Sequence, residues 1–126
     1  LKGHPTAAVE YAVGRAQGAG LLDDAAYARL YVASRAARGR GPSRIRRDLQ
    51  ALGVGRELIE AALAEQWPDQ DDALGIAREL AERRLRQLAA LPPETRRRRV
   101  LAYLARRGFT GSRVSDIVAR ALRGKS

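Results

Sequence analysis

Apolar residues recur along this chain with the period of an α-helix, and no segment alternates apolar and polar positions as a strand would. The recurrence at i, i+3, i+4 and i+7 predicts helices over residues 6–17, 24–38, 43–52, 56–66, 69–90, 94–107 and 110–123. We therefore expect an all-α protein.

Residues that favour caps and turns separate these helices. Asp23 or Asp24 is expected to cap the second helix, and Pro42 suits the first turn of the third. Gly53 is expected in the left-handed conformation that ends a helix, with Val54 folding back on Leu49. The buried stripe of the second helix is predicted to contain four residues: Tyr27, Leu30, Tyr31 and Ser34.

One helix-ending pattern occurs three times. Gly3-His4, Gly53-Val54 and Gly108-Phe109 each precede two apolar residues spaced by four, and the glycines lie about 50 residues apart, which is typical of repeat proteins. We interpret the chain as tandem three-helix repeats, each resembling a helix-turn-helix, in an elongated, curved array. Residues 1–19 would be the end of repeat one, residues 20–67 repeat two, and residues 68–126 repeat three with a longer first helix.

Charge changes this picture from a generic helical protein to one with an anionic partner. The 126 residues carry 24 basic and 14 acidic side chains, a net charge of +10, and only Lys2 and Lys125 are lysines. Arginine stays charged and offers a planar fork that matches phosphate and carboxylate. Such an excess favours nucleic acid or an acidic protein as the partner.

Several classes of function are disfavoured by what the sequence contains. Cysteine is absent, His4 is the single histidine, and no phosphate-binding glycine-rich loop precedes a Lys-Ser pair, so we expect no catalytic residues, metal site or cofactor. The paired aspartates at 23–24 and 71–72 stand where helices should begin, which favours capping over acid–base catalysis. No long apolar run or signal peptide is visible, so we expect a cytoplasmic protein without membrane contact. Since methionine is absent, we expect that residues precede Leu1.

The arginines form two clusters, one in each of the later repeats. The first surrounds the turn at residues 39–42. The second surrounds the matching turn at residues 91–93, with three arginines before it, at 83, 84 and 86, and four after it, at 96–99. Each arginine alone is equally compatible with a solvated surface that pairs with nearby carboxylates. Both clusters together favour an anionic partner, and the scarcity of Asn and Gln on the basic helices argues against base-specific reading of DNA.

The motifs around these clusters resemble the RecX family of bacterial recombination regulators. Residues 20–35 read G-L-L-D-D-x-x-Y-A-R-x-Y-V-x-x-R, and residues 39–54 read G-x-G-P-x-R-I-R-x-x-L-x-x-L-G-V. In the third repeat, residues 77–85 read A-x-x-L-A-x-x-R-L, and residues 93–109 read P-E-T-R-R-R-R-V-x-x-Y-L-x-R-R-G-F. The likeness runs from Lys2 to the end of the chain, without the first two helices of repeat one.

The resemblance implies a protein that binds the RecA recombinase filament, inhibits its ATPase and strand exchange, and promotes filament disassembly. Direct binding to single- or double-stranded DNA is also implied, and we expect a monomer. A sequence-nonspecific DNA-binding protein that competes for DNA is the alternative. The residues expected to contact RecA or DNA are Arg35, Arg38, Arg40, Arg44, Arg47, Arg97, Arg98 and Arg106. Four aromatic residues are expected to lie in the core rather than to stack against nucleic-acid bases: Tyr27, Tyr31, Tyr103 and Phe109.

Overall fold

A computed structural model describes residues 21–124, and the helix expected over residues 6–17 lies outside this range. The described part contains six α-helices and no strand, which confirms the all-α prediction. The helices are α1 (Leu21–Ala37), α2 (Pro42–Ala51), α3 (Arg56–Gln66), α4 (Gln70–Gln87), α5 (Pro93–Arg107) and α6 (Ser112–Gly124). Among these residues, no helix combines the length and apolar character needed to cross a membrane.

The chain forms two compact units. Of the residues that the structure describes, the first unit contains 21–38 together with Ile45–Pro68, and the second contains Gly39–Arg44 together with 69–124. The segment Gly39–Arg44, which includes the first turn of α2, therefore belongs to the second unit.

In the first unit, α1 packs on α3. Tyr27 and Tyr31 are buried as expected, but Leu30 is 58% exposed, so its assignment to the core was wrong. The buried face runs instead through Ala28 and Val32. At about 100° per residue, Leu30 lies two positions from each of them and points to the opposite side of the helix.

The expectation that Asp23 or Asp24 caps this helix was also wrong. Both lie inside the first turn of α1, which begins at Leu21. Asp24 is 8% exposed and packs with the core, whereas Asp23 is exposed. Carboxylates in a first turn still interact favourably with the helix dipole.

In the second unit, α4 packs on both α5 and α6. Its start is fixed by Asp69, whose side chain accepts a hydrogen bond from the backbone of Asp71, while Asp72 accepts one from the backbone of Asp69. The core is built mainly of aliphatic side chains from all three helices: Ala77, Ala81, Leu85, Val100, Leu104, Val114 and Val118.

The two helix stops expected from the sequence share one geometry. Gly53 and Gly108 have φ of 88° and 101°, in the left-handed region that favours glycine. Val54 N donates to Leu49 O at 3.1 Å, and Phe109 N donates to Leu104 O at 2.8 Å. Val54 and Phe109 are buried, so each stop anchors an apolar side chain in the core of its own unit.

Candidate partner-binding surfaces

Positive charge is distributed unevenly between the two units. Within residues 21–124, the first unit carries six arginines and six carboxylates, whereas the second carries fifteen arginines and seven carboxylates. The net charge of the described residues therefore resides in the second unit. Any surface that attracts an anionic partner over a distance should be sought there.

In the first unit, Arg35 belongs to the core. It is 4% exposed, its guanidinium carbon lies 4.4 Å from the centroid of the Tyr31 ring, and Nη1 donates to Ser34 Oγ at 3.2 Å. A guanidinium held in this way is stabilised by cation–π attraction and cannot reach a partner from its buried position. We infer that Arg35 supports α1 rather than contacting RecA or DNA.

Two other arginines of the first unit are paired with carboxylates. Arg46 donates to both oxygens of Glu60, from Nε at 2.6 Å and from Nη2 at 3.2 Å. This hydrogen-bonded guanidinium lowers the pKa of the Glu60 carboxyl below its ordinary value, although partial burial acts the other way. Arg29 Nε lies 3.7 Å from Glu65 Oε1, which makes a second ion pair. Arg47 differs, because it is exposed and has no ion pair within the described chain.

In the second unit, the segment at the start of α2 lies directly against the end of α5. Gly41 N donates to Arg107 O, Ser43 N donates to Gly108 O at 3.1 Å, and Arg44 Nη1 donates to Arg106 O at 2.9 Å. We call this contact the glycine junction, after Gly41 and Gly108. The free N–H groups that begin one helix thereby pair with free carbonyls that end another.

The glycine junction leaves no space for side chains at either glycine. A Cβ atom at Gly41 would lie 2.6 Å from Gly108 O and 2.8 Å from Phe109 Cδ1, and one at Gly108 would lie 2.5 Å from Arg44 Cβ. Two of the expected contact residues, Arg40 and Arg44, are half-buried beside this junction. Since Arg44 donates to the backbone, its charge is partly engaged by the fold.

Arg107, which the sequence analysis did not single out, is also engaged by the fold. Nε donates to Tyr103 Oη at 3.1 Å, and Nη1 donates to Gly39 O at 3.4 Å. The guanidinium carbons of Arg107 and Arg84 lie 5.3 Å and 5.0 Å from the centroid of the Tyr103 ring. Tyr103 is therefore half-buried among arginines rather than a core residue, whereas the expectation holds for the other three aromatics.

The exposed arginines of α5 define a second kind of surface. Arg97, Arg98, Arg99 and Arg106 are all exposed, and none has a hydrogen bond or ion pair from its side chain to another described residue. At about 100° per residue, Arg98, Arg99 and Arg106 fall within one third of the helix circumference. We call these three the α5 basic face. Arg97 projects elsewhere, in line with the buried Leu104 of the same helix.

A groove between α4 and α6, with a volume of about 430 Å³, was not foreseen from the sequence. It is lined at positions i, i+3, i+4 and i+7 of both helices by Asp71, Leu74, Gly75 and Arg78, and by Arg113, Asp116, Ile117 and Arg120. Arg113 Nη2 lies 2.6 Å from Asp71 Oδ1 and joins the two helices at one end. The helical spacing was visible in each segment, but the sequence did not show that these two stripes face one groove.

No group of three or more potential ligands among His, Asp and Glu forms a metal site in the part of the chain that the structure describes. The arrangement as a whole offers charge, hydrogen-bond donors and an open groove.

Comparison with known proteins identifies two matching domains. A family model for the second three-helix domain of RecX matches residues 23–63, and a model for the third three-helix domain matches residues 70–118. Proteins named Regulatory protein RecX are similar over most of this chain. The one from Streptomyces coelicolor is 34% identical over 120 residues, covering 94% of this chain and 62% of that protein.

Two further proteins of the same name are similar to this chain in identity and in coverage. The protein from Thermobifida fusca is 35% identical over 120 residues, covering 94% of this chain and 63% of its own length. The protein from Halorhodospira halophila is 38% identical over 103 residues, covering 81% of this chain and 61% of its own length. The chain thus spans about three fifths of the length of these relatives. No solved structure matches it.

Proposed function

Because the chain belongs to the RecX family, we propose that it regulates the RecA recombinase by binding the RecA–DNA filament. In this proposal it inhibits the ATPase and strand exchange of the filament and promotes filament disassembly, without catalysis and without a cofactor. It acts in the cytoplasm, as a monomer lying against the filament. The full length of the relatives is greater than that of this chain, and the proposal concerns the surfaces that the chain contains.

The observation that carries this proposal is the concentration of uncompensated arginine in the second unit. The α5 basic face presents guanidinium groups that no described side chain neutralises, while residues 95–107 contain no carboxylate at all. A surface of this kind suits the phosphates of the DNA within or beside a filament. Its contacts position the protein without reading base sequence.

Within this function we propose a division among the expected contact residues. Arg98 and Arg106 contact phosphate together with Arg99, whereas Arg97 is exposed on another side of α5 and makes a separate contact. Arg38, Arg40 and Arg47 contribute further contacts on exposed or half-exposed surface. Arg35 and Arg44 hold the fold in place, because one is buried and the other donates to a backbone carbonyl.

The second candidate function is sequence-nonspecific DNA binding that affects recombination by competition for DNA. The same basic face favours it, since phosphate contacts need no protein partner. The two functions differ in what limits inhibition. A filament regulator acts at concentrations well below those of the DNA sites, whereas a competitor must cover the DNA.

The test adds the purified chain to preformed RecA–DNA filaments and follows ATP hydrolysis. We expect inhibition when the chain is far scarcer than DNA-binding sites, and we expect it to persist when unlabelled competitor DNA is added. Inhibition that only tracks occupancy of free DNA, and that excess competitor abolishes, would replace the first function with the second.

A further inference from the structure

Two arginines at one end of the α4–α6 groove have no partner. Arg78 and Arg120 are exposed, line the same groove, and form no hydrogen bond or ion pair with any described residue. Two like charges that converge on one groove repel each other, so an anionic group placed between them is attracted by both. This end of the groove is therefore suited to a carboxylate or a phosphate.

Space for such a group comes from Gly75. A Cβ atom built at this position meets nothing within 4 Å, so the wall of the groove is open there. The half-buried side chains of Leu74 and Ile117 form its floor. An occupant would consequently touch apolar carbon as well as charge.

The groove continues into an apolar cleft of about 350 Å³. Leu74 and Arg113 line both. The cleft is also lined by the apolar side chains of Phe109 and Val114 and, at its polar part, by Ser43, Thr110 and Ser112. Every residue that lines either part belongs to the second unit. The groove and the cleft are therefore neighbours on the second unit, one with a basic end and the other mainly apolar.

The carboxylates in this site decide which anion it suits. Asp71 and Asp116 both line the groove, and only Asp71 is neutralised, by Arg113. A run of phosphates along the groove would meet Asp116, whereas a peptide can place an apolar side chain or an N–H group at that point and a carboxylate beside the arginines. The α5 basic face has the opposite character, since it is exposed, lacks an apolar floor and lies in a segment without carboxylates.

We propose that the α4–α6 groove and its apolar cleft bind an acidic segment of a protein partner, with an apolar anchor residue in the cleft and carboxylates between Arg78 and Arg120. The inference rests on the proposed function, in which that protein is RecA, and it assigns the protein contact to the groove and the DNA contact to the α5 basic face. Apolar anchors in such clefts, with charged groups at the rim, are the usual arrangement of peptide-binding surfaces.

The first experiment compares the purified chain with the double variant Arg78→Glu, Arg120→Glu. Inhibition of a preformed RecA–DNA filament is measured through its rate of ATP hydrolysis. Binding to a fluorescent single-stranded oligonucleotide is measured through fluorescence anisotropy. We expect the concentration needed for half-inhibition to rise about tenfold or more, because attraction becomes repulsion at both positions, while oligonucleotide affinity changes far less. The matched control is Arg83→Glu, Arg86→Glu, which makes the same charge change on α4 outside the groove.

The second experiment uses the absence of cysteine from the chain. Gly75→Cys places one thiol in the groove, and Ala102→Cys places one on the exposed side of α5, each for attachment of a photoreactive group. On RecA–DNA filaments, the groove probe should crosslink to a RecA peptide rich in Asp or Glu around an apolar residue. The α5 probe should crosslink mainly to DNA.

The outcomes separate the inference from the proposed function. If the wild-type chain fails to inhibit the filament, the proposed function falls and the inference falls with it. If the wild-type chain inhibits and the groove variant inhibits equally well, the inference alone is overturned. It is likewise overturned if the groove variant loses oligonucleotide affinity as strongly as filament inhibition, or if the groove probe crosslinks only to DNA.

Discussion

In each unit a helix ends at a left-handed glycine, but the arginines of the two units differ in their pairing and exposure. Gly53-Val54 and Gly108-Phe109 repeat one backbone geometry, yet the first unit balances its arginines with carboxylates and the second does not. In the first unit Arg35 is buried and Arg46 is paired with Glu60, whereas Arg98 and Arg106 of the second unit project freely. Similar helices therefore hold arginines within the fold in one unit and leave them exposed in the other.

Among the first-unit residues that the structure describes, the glycine junction has no counterpart. It provides the largest expected effect on stability. Gly41→Ala should destabilise the protein by about 2 kcal/mol, because the added Cβ would overlap the backbone of Gly108 and the ring of Phe109. Urea unfolding followed by circular dichroism measures the loss.

Gly75→Ala is the matched control for this change. It lies inside α4 with open space around the new methyl group, so helix propensity should raise stability by about 0.5–1 kcal/mol. Equal stability of Gly41→Ala and the wild-type chain would show that the junction tolerates a side chain and is not required by the fold.

Removal of the buried arginine from the first unit should have the next largest effect. Arg35→Ala loses the stacking on Tyr31 and the hydrogen bond to Ser34, at a cost of about 2 kcal/mol. Unfolding by urea measures this change, and oligonucleotide anisotropy should show DNA affinity near that of the wild-type chain once the variant is folded.

Arg38→Ala, on the exposed end of the same helix, is the control for Arg35 and should change stability little. If Arg35→Ala left stability intact and lowered DNA affinity, Arg35 would return to the binding surface expected from the sequence.

The environment of Arg35 illustrates which structural features the sequence could and could not predict. The helical period and the turn residues predicted the helices, the all-α class and both glycine stops, because these depend on local backbone preferences. The same period could not show on which side of α1 the core lies, so Leu30 was assigned inward and Arg35 outward. That choice depends on what packs against the helix.

The candidate sites show the same limit on a larger scale. Part of the α5 basic face was visible in the run of four arginines at residues 96–99, but the α4–α6 groove requires two segments about 40 residues apart to lie side by side. No periodicity within either segment indicates that pairing. The boundaries of the repeats, at residues 1–19, 20–67 and 68–126, stay predictions, and in the structure residues 39–44 belong to the second unit.

A moderate effect on DNA binding should distinguish the unpaired arginines of α5 from exposed arginines of the first unit. Arg98→Gln, Arg106→Gln removes two proposed phosphate contacts and should reduce the slope of log affinity against log salt for single-stranded DNA by about 1.4. Anisotropy titrations across a series of salt concentrations measure it.

The control for this pair is Arg29→Gln, Arg56→Gln in the first unit, which removes the same charge from a unit whose described residues carry equal numbers of arginines and carboxylates. We expect its salt slope to stay close to that of the wild-type chain. If both pairs reduced the slope equally, DNA binding would follow net charge alone, and the contrast between the units would have no functional meaning.

The smallest expected effect concerns the ion pair that keeps Arg46 neutralised in the first unit. Arg46 lowers the pKa of Glu60, so the pair stabilises the fold above the ordinary pKa of a glutamate, about 4.3, and this contribution is lost as pH falls through the lowered value. Because both side chains are more than one third exposed, the stabilisation should be only a few tenths of a kcal/mol at pH 7. Glu60→Gln should therefore be slightly less stable than the wild-type chain at pH 7, and the difference should shrink toward zero at an acidic pH below the lowered pKa of Glu60. Urea unfolding at both pH values measures this, and a difference that grew in acid would mean that the carboxylate destabilises the folded unit.

Glu60→Gln also leaves Arg46 without its carboxylate, so a small rise in the salt slope of DNA binding would indicate that pairing is what keeps this part of the first unit from binding phosphate.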